Sequence, residues 1–264
     1  MPEGGDEVVL AGGNLTRVVR IGDTVRREAG PWTPMVHDLL RHVRLAGFTL
    51  APEPLGLDEV GREVLRYLPG DTMVDHPWPR WVWDDGLLLE AAGALADYHR
   101  AVVGFRPSVV SSRLGTTRLG EHDIVCHNDF TPYNGAFRDG RLAGVFDWDA
   151  VVAAPPVWDV ATFAWQWVPL HAPSDELVWR TAETCARRIR LVVEGYGLLD
   201  DRVDLVDQVL NRIESSRSGI LDRAAGGDEV FRRLERDGHA SDMARSIEFV
   251  RSIEATLRRA LPRS

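Results

Sequence analysis

The chain has 264 residues, 44% hydrophobic and 27% charged, enough to bury a substantial core in one large domain or two small ones. A formal net charge of −9 argues against a broad nucleic-acid face, which needs clustered positive charge, and no apolar run approaches the roughly 18 residues of a membrane span. The two cysteines, Cys126 and Cys185, lack C-x-x-C spacing or a histidine cluster, which argues against a disulfide framework or zinc site and predicts a reducing, cytoplasmic setting.

The acidic opening M-P-E-G-G-D-E has no apolar run behind it, so no signal peptide is expected. Residues 8–11 are apolar, Gly12-Gly13-Asn14 breaks the run, and 17–21 resumes it before Gly22-Asp23 reverses the chain into a strand over 24–28. A glycine turn between two strands leaves backbone N–H groups free to approach a phosphate, although an ordinary turn has the same composition. Thr33-Pro34 is expected to open a helix, with the hydroxyl as N-cap and Val36, Leu39, Leu40 and Val43 on its apolar face, ending at Gly47. Residues 55–57 and 64–67 flank Asp58-Glu59-Val60-Gly61 as a second hairpin, and Leu68-Pro69-Gly70 ends the strand-rich part. Trp78, Trp81 and Trp83 stand among prolines, where core packing is the first reading and a pocket wall the second. Beyond them the pattern turns helical, with one amphipathic helix from about 84 to 104 and a Ser/Thr/Gly-rich surface loop over 105–120. A Trp-rich helix is expected over 157–167, and a helix capped by Ser174 and running to Gly197. Stretches 202–224 and 241–261 follow, separated by a polar segment at 226–239.

The most informative stretch is 123–149, D-I-V-C-H-N-D-F-T-P-Y-N-G-A-F-R-D-G-R-L-A-G-V-F-D-W-D. Asp139-Gly140 between apolar runs is a strong hairpin signal, because both turn residues must take positive φ. Such a hairpin brings Asn134, just before its first strand, close to Asp147 at the end of its second, with Asp129 in the loop leading in. Two acids and an amide thus converge without help from any distant segment. Phosphoryl transfer needs this combination: a carboxylate to accept the attacking hydroxyl's hydrogen bond, and hard oxygen donors to hold magnesium on the phosphates.

The spacing His127-x-Asp129-x-x-x-x-Asn134, with Asp147 thirteen residues on, matches the catalytic and metal segments of the protein-kinase-like superfamily. The letters V-C-H-N-D-F-T-P-Y-N and V-F-D-W-D resemble the aminoglycoside phosphotransferase family more closely, and Asn128 stands where protein kinases usually have Arg. The resemblance is strongest over 123–159, where it includes Asp159 in V-W-D-V-A, and thinner over 8–70. It implies an α+β, two-lobed protein-kinase-like fold, with a small β-rich N-terminal nucleotide-binding lobe over 1–68 and a mostly helical C-terminal catalytic and substrate lobe over 69–264. It also implies ATP and magnesium, with Asp129 as the base, His127 orienting the loop, and Asn134 and Asp147 as metal ligands. Gly12 and Gly13 would cover phosphate, and Tyr67 in the 66–70 hinge would lie near the nucleotide. Asp149 would bind substrate or face solvent. Asp159 would support the catalytic loop.

The chief departure from the family pattern is that all 31 basic residues are Arg, so the phosphate-gripping lysine of the third strand has no counterpart. Arg26, following Val25, is the expected replacement, with Asp38 as its partner acid; Arg27 must point to the opposite face. The expected acceptor is a hydroxylated small molecule, an antibiotic such as an aminoglycoside or a metabolite. The acidic balance, with Glu214, Asp222, Asp228, Glu229, Glu235 and Asp237, suggests a cationic one, and a solvated acidic surface is the equal alternative. A nucleotide-binding pseudokinase is the second functional reading and a metal-dependent hydrolase the third. Oligomeric state is left open.

Overall fold

A computed structural model describes residues 7–10, 17–74, 76–197 and 204–261. They fold as two compact units, one formed by Met1–Trp78 with Ala96–Pro156, the other by Pro79–Leu95 with Val157–Ser264. Among the described residues no helix is long and apolar enough to cross a membrane.

In the first unit, β1 (Val8–Val9), β2 (Val19–Ile21) and β3 (Thr24–Arg27) precede α1 (Thr33–Leu45), and β4 (Pro54–Leu57) and β5 (Glu63–Arg66) follow it. They form an antiparallel sheet in the order β1-β2-β3-β5-β4, in which β3 and β5 pair although a helix and a strand separate them in sequence. The expected face of α1 is fully buried, and Gly47 follows the helix at φ +97. Thr33 is not the cap: it is the first helical residue, and its hydroxyl accepts from Gly30 N at 3.0 Å, closing the preceding turn.

β6 (Asp71–Thr72) leads to α2 (Asp85–Val102), whose last turns belong to this unit. The stretch 105–120 is not the featureless loop expected from its composition. It carries a small hairpin, β7 (Val110–Ser112) and β8 (Gly115–Thr117), pinned by buried Val110 and by Ser112 Oγ, which accepts from Leu114 N. β9 (Ile124–Cys126) pairs with β12 (Val152–Ala154), while β10 (Gly135–Arg138) and β11 (Arg141–Val145) form the expected hairpin. Asp139 and Gly140 take φ +52 and +73, the two positive values such a turn demands. β6 adds a third strand along β10. An aromatic cluster lies beneath: Tyr98 and Trp148 meet edge-on at 5.0 Å, Phe48 packs on both, and Tyr98 donates to Val125 O.

The second unit is helical, combining the first turns of α2 with α3 (Val157–Trp167), α4 (Ala182–Tyr196), α5 (Leu205–Ala225), α6 (Glu229–Arg236) and α7 (His239–Ala260). Ser174 precedes only a single 3₁₀ turn; the cap of α4 is Thr181, whose hydroxyl accepts from Thr184 N at 3.2 Å. The segment 226–239 contains α6, capped by Asp228, rather than a plain polar linker. α5 begins at Leu205, and the expected start at Arg202 lies outside the described residues. Buried Arg188 ties this unit together by donating to Trp83 O, Asp85 and Trp167 O at 2.6, 3.0 and 2.9 Å.

Candidate active site

β9 delivers the chain into 127–134. His127 is fully buried, edge-on to Trp148 with ring centres 4.4 Å apart, and its Nδ1 faces Asp129 N at 3.3 Å. Asn128 adopts φ +67, a conformation asparagine tolerates, and donates to Ala150 O at 3.0 Å. These anchors turn the chain so that Asp129 meets the start of the hairpin. Asn134 Nδ2 donates to Asp129 O at 3.0 Å and to Asp129 Oδ2 at 2.8 Å, and Tyr133 donates its hydroxyl to Asp129 Oδ1 at 2.8 Å.

Phe146 N donates to Asn134 O at 2.9 Å at the base of the hairpin, and Asp147 is the next residue along the chain. Asp147 takes left-handed backbone angles, φ 61 and ψ 61, and leaves its side chain about half exposed. Among the described residues no group of three or more His, Cys, Asp and Glu side chains is arranged around a metal position. The pair Asn134 and Asp147 nevertheless fits a hard divalent cation. The Asn134 amino group is committed to Asp129, which turns its amide oxygen away from that carboxylate, and magnesium takes few protein ligands when phosphates supply the rest.

The cation that reaches this carboxylate is Arg27, not Arg26. Arg27 is buried. Its Nε donates to Glu63 Oε2, its Nη2 lies 2.6 Å from Asp149 Oδ1, and its Nη1 lies 3.4 Å from Asp147 Oδ1. Arg26 points the other way, donating to Thr24 Oγ1 at 2.6 Å and lying 3.6 Å from Asp58. Its expected partner Asp38 is exposed and pairs with Arg41. Register explains the correction: β3 places Arg27 directly across from Glu63 of β5, and a one-residue slip along a strand flips every side chain to the opposite face.

His37, on the buried face of α1, meets Glu63 Oε1 at 2.9 Å, so a continuous buried chain runs His37–Glu63–Arg27–Asp149. Asp149 does not face solvent; besides Arg27 it meets Arg113 at 3.3 Å, and Arg113 lies over the Trp32 ring. Burial pushes the Glu63 carboxyl up, but the His37 hydrogen bond and Arg27 more than offset it and hold the group below its ordinary value. Burial likewise pushes Asp149 up, and there the opposing pull of Arg27 does not win, because Asp147 and Glu63 repel the same charge. Burial disfavours the Arg27 charge, yet Asp149, Glu63 and Asp147 together keep it firmly protonated.

The Glu63 shift has a defined sign. A depressed carboxyl contributes stability above its ordinary value of 4.5, and that contribution is lost as the pH falls through the lower folded value. The stability gap between wild type and Glu63→Gln is therefore expected to be widest near neutral pH and to close in acid. Urea midpoints at about pH 7 and about pH 3.5 measure it.

Tyr67 sits apart from this cluster, its ring 3.9 Å under the Arg20 guanidinium and its N–H on Asp23 O. Gly12 and Gly13 lie outside the described residues. Asp159 is fully buried in the first turn of α3. Glu63, His37, Arg113 and Tyr133 were not singled out in the sequence. The one signal for Glu63 was an acid beside the apolar pair Val64-Leu65 of β5.

The model of the phosphotransferase enzyme family matches residues 110–191, which contain all of the 123–149 stretch. The chain is 34% identical over 203 residues to the trifolitoxin immunity protein of Rhizobium leguminosarum bv. trifolii, covering 73% of this chain and 75% of that one. Among solved structures it is similar to a choline/ethanolamine kinase family protein from Mesorhizobium loti, at 19% identity and TM-score 0.57 over 94% of this chain and 93% of that chain. It is also similar to an amicoumacin kinase in complex with AMP-PNP, Ca2+ and Ami, at 15% identity and TM-score 0.62 over 90% and 89%. With its α+β, protein-kinase-like fold and the match across its hairpin segment, the chain belongs to the phosphotransferase enzyme family.

Proposed function

We propose that the protein transfers the γ-phosphoryl group of ATP to a hydroxyl of a small molecule, with Asp129 as the base. The acceptor oxygen attacks phosphorus, the bond to the β–γ bridging oxygen breaks, ADP leaves, and the hydroxyl proton passes to the Asp129 carboxylate. The observation that carries this reading is the convergence of Asp129, Asn134 and Asp147 at the base of one hairpin, with Asn134 bonded directly to Asp129.

Asn134 and Asp147 would hold magnesium, which when bound neutralises charge on the phosphates. Arg27 takes the place of the missing lysine: its guanidinium is locked by Glu63 and Asp149, while its looser 3.4 Å contact with Asp147 keeps it beside the proposed metal ligand. Replacing Asp147 with Ala is expected to remove the magnesium dependence of nucleotide binding and to leave the melting temperature nearly unchanged, since the side chain is half exposed. Calorimetric titration of nucleotide with and without magnesium measures the first, and a thermal melt the second.

The acceptor is best sought among antibiotics, because the curated relative is named for immunity and the amicoumacin kinase shares the fold. Of the acids that suggest a cationic acceptor, Glu214 is bonded to Arg217, Glu229 pairs with Arg236, and Asp228 caps α6. ADP release across antibiotics and hydroxylated metabolites, at two salt concentrations, is the test. An acceptor-dependent release supports the kinase reading, and a rate that falls with salt marks a cationic acceptor. Nucleotide binding with no turnover on any acceptor would favour the pseudokinase.

A further inference from the structure

The proposed base meets its acceptor with part of its accepting capacity already in use. Both oxygens of Asp129 already accept a hydrogen bond: Oδ2 from Asn134 Nδ2 at 2.8 Å and Oδ1 from the Tyr133 hydroxyl at 2.8 Å. The Asn134 bond is internal to the loop, since the same amino group also binds Asp129 O. The Tyr133 bond is of a different kind. It sets a hydroxyl on the carboxylate of the proposed base, which is the contact the acceptor hydroxyl must make for its proton to be taken.

Tyr133 is held in this position from behind. Its ring leans on Trp78 with centres 6.5 Å apart, and Trp78 is stacked on His76 at 4.7 Å with the planes 14° from parallel. The residue is nevertheless 37% exposed, so the phenol can swing away without unpacking a core. A kinase of small molecules carries a specific hazard: water is a small hydroxyl that can take the acceptor's place and waste ATP.

We infer that Tyr133 is a positioning residue that occupies Asp129 Oδ1 until the acceptor displaces it, and so suppresses hydrolysis of ATP by water. The inference rests on the reading of Asp129 as the base. Once the phenol is displaced, Oδ1 passes to the acceptor hydroxyl while Asn134 keeps Oδ2 fixed. Water, which offers no further contacts, gains too little to compete with an intramolecular partner.

The test is inorganic phosphate released from ATP and magnesium without acceptor, in wild type, Tyr133→Phe, Tyr133→Ala and Tyr133→Phe with Asp129→Asn. Phe keeps the ring on Trp78 and removes only the hydroxyl. Tyr133→Phe is expected to raise acceptor-free hydrolysis about 2- to 12-fold, the equivalent of one hydrogen bond, with nucleotide affinity and melting temperature unchanged. Adding Asp129→Asn is expected to abolish that gain. Hydrolysis by Tyr133→Phe at or below the wild-type rate overturns the inference. So does a gain seen only in Tyr133→Ala, which would assign the effect to the ring, or a gain that survives Asp129→Asn. A wild-type enzyme that phosphorylates an acceptor through Asp129, while Tyr133→Phe hydrolyses ATP no faster, would overturn the inference and leave the kinase reading standing. Transfer undiminished in Asp129→Asn would overturn both.

Discussion

Replacing Asp129 with Ala is expected to reduce phosphoryl transfer by about 10²- to 10⁴-fold, the usual loss when a positioned acid–base group is removed. Affinity for ATP should stay within a few-fold, because the carboxylate bonds to Tyr133 and Asn134 and belongs to the acceptor side of the proposed chemistry. The fold should hold: the loop is anchored by buried His127 on Trp148 and by the Asn128 bond to Ala150 O, neither of which uses the Asp129 carboxylate. Single-turnover rates together with equilibrium nucleotide binding separate the two effects. A variant that keeps more than about half the wild-type rate would remove Asp129 from the base role.

Arg27→Ala should be damaging in two ways. First, it leaves buried Glu63 and Asp149 without their shared counter-ion; losing one member of a buried ion pair costs about 3–5 kcal/mol of stability. Second, it removes the cation nearest Asp147, and ATP binding is expected to weaken by about 1.5–3 kcal/mol, the range for hydrogen bonds to charged groups. Arg26→Ala should do little to either, since it loses only a contact with Thr24 and a 3.6 Å approach to Asp58. Urea unfolding and nucleotide titration on the pair of variants check both effects. Equal ATP affinity in wild type and Arg27→Ala would show that this strand does not grip phosphate.

The contrast between these two arginines marks the boundary of what the sequence discloses. The hairpin at Asp139-Gly140 was legible because its cause is local: two adjacent residues must accept positive φ, and few pairs do so readily. The Phe146 N bond to Asn134 O follows from that turn, and the buried face of α1 from its helical spacing. The choice between Arg26 and Arg27 was not legible, because it depends on the register of β3 against β5, strands separated by a whole helix. Glu63 and His37 were hidden for the same reason; each has its role only once β5 lies beside β3 and α1 packs against it.

Other misses have different causes. α6 is short and buries none of its residues; Val230, Phe231 and Leu234 share one face, but five of its eight residues are charged, so the segment reads as polar linker. The hairpin over 110–117 is built from serine, threonine and glycine around one buried valine, a composition shared with loops. Ser174 and Thr181 are both competent caps, and only the packed position of α4 decides between them.

The most direct measurement follows a label on the γ-phosphate of ATP through incubation with a panel of hydroxylated antibiotics and metabolites, for wild type and Asp129→Ala side by side. The expected result is label transferred to an acceptor hydroxyl by wild type, with transfer by Asp129→Ala reduced at least about a hundredfold. Transfer undiminished in the variant, or bound ATP whose label reaches no acceptor in the panel, would contradict a hydroxyl kinase working through Asp129.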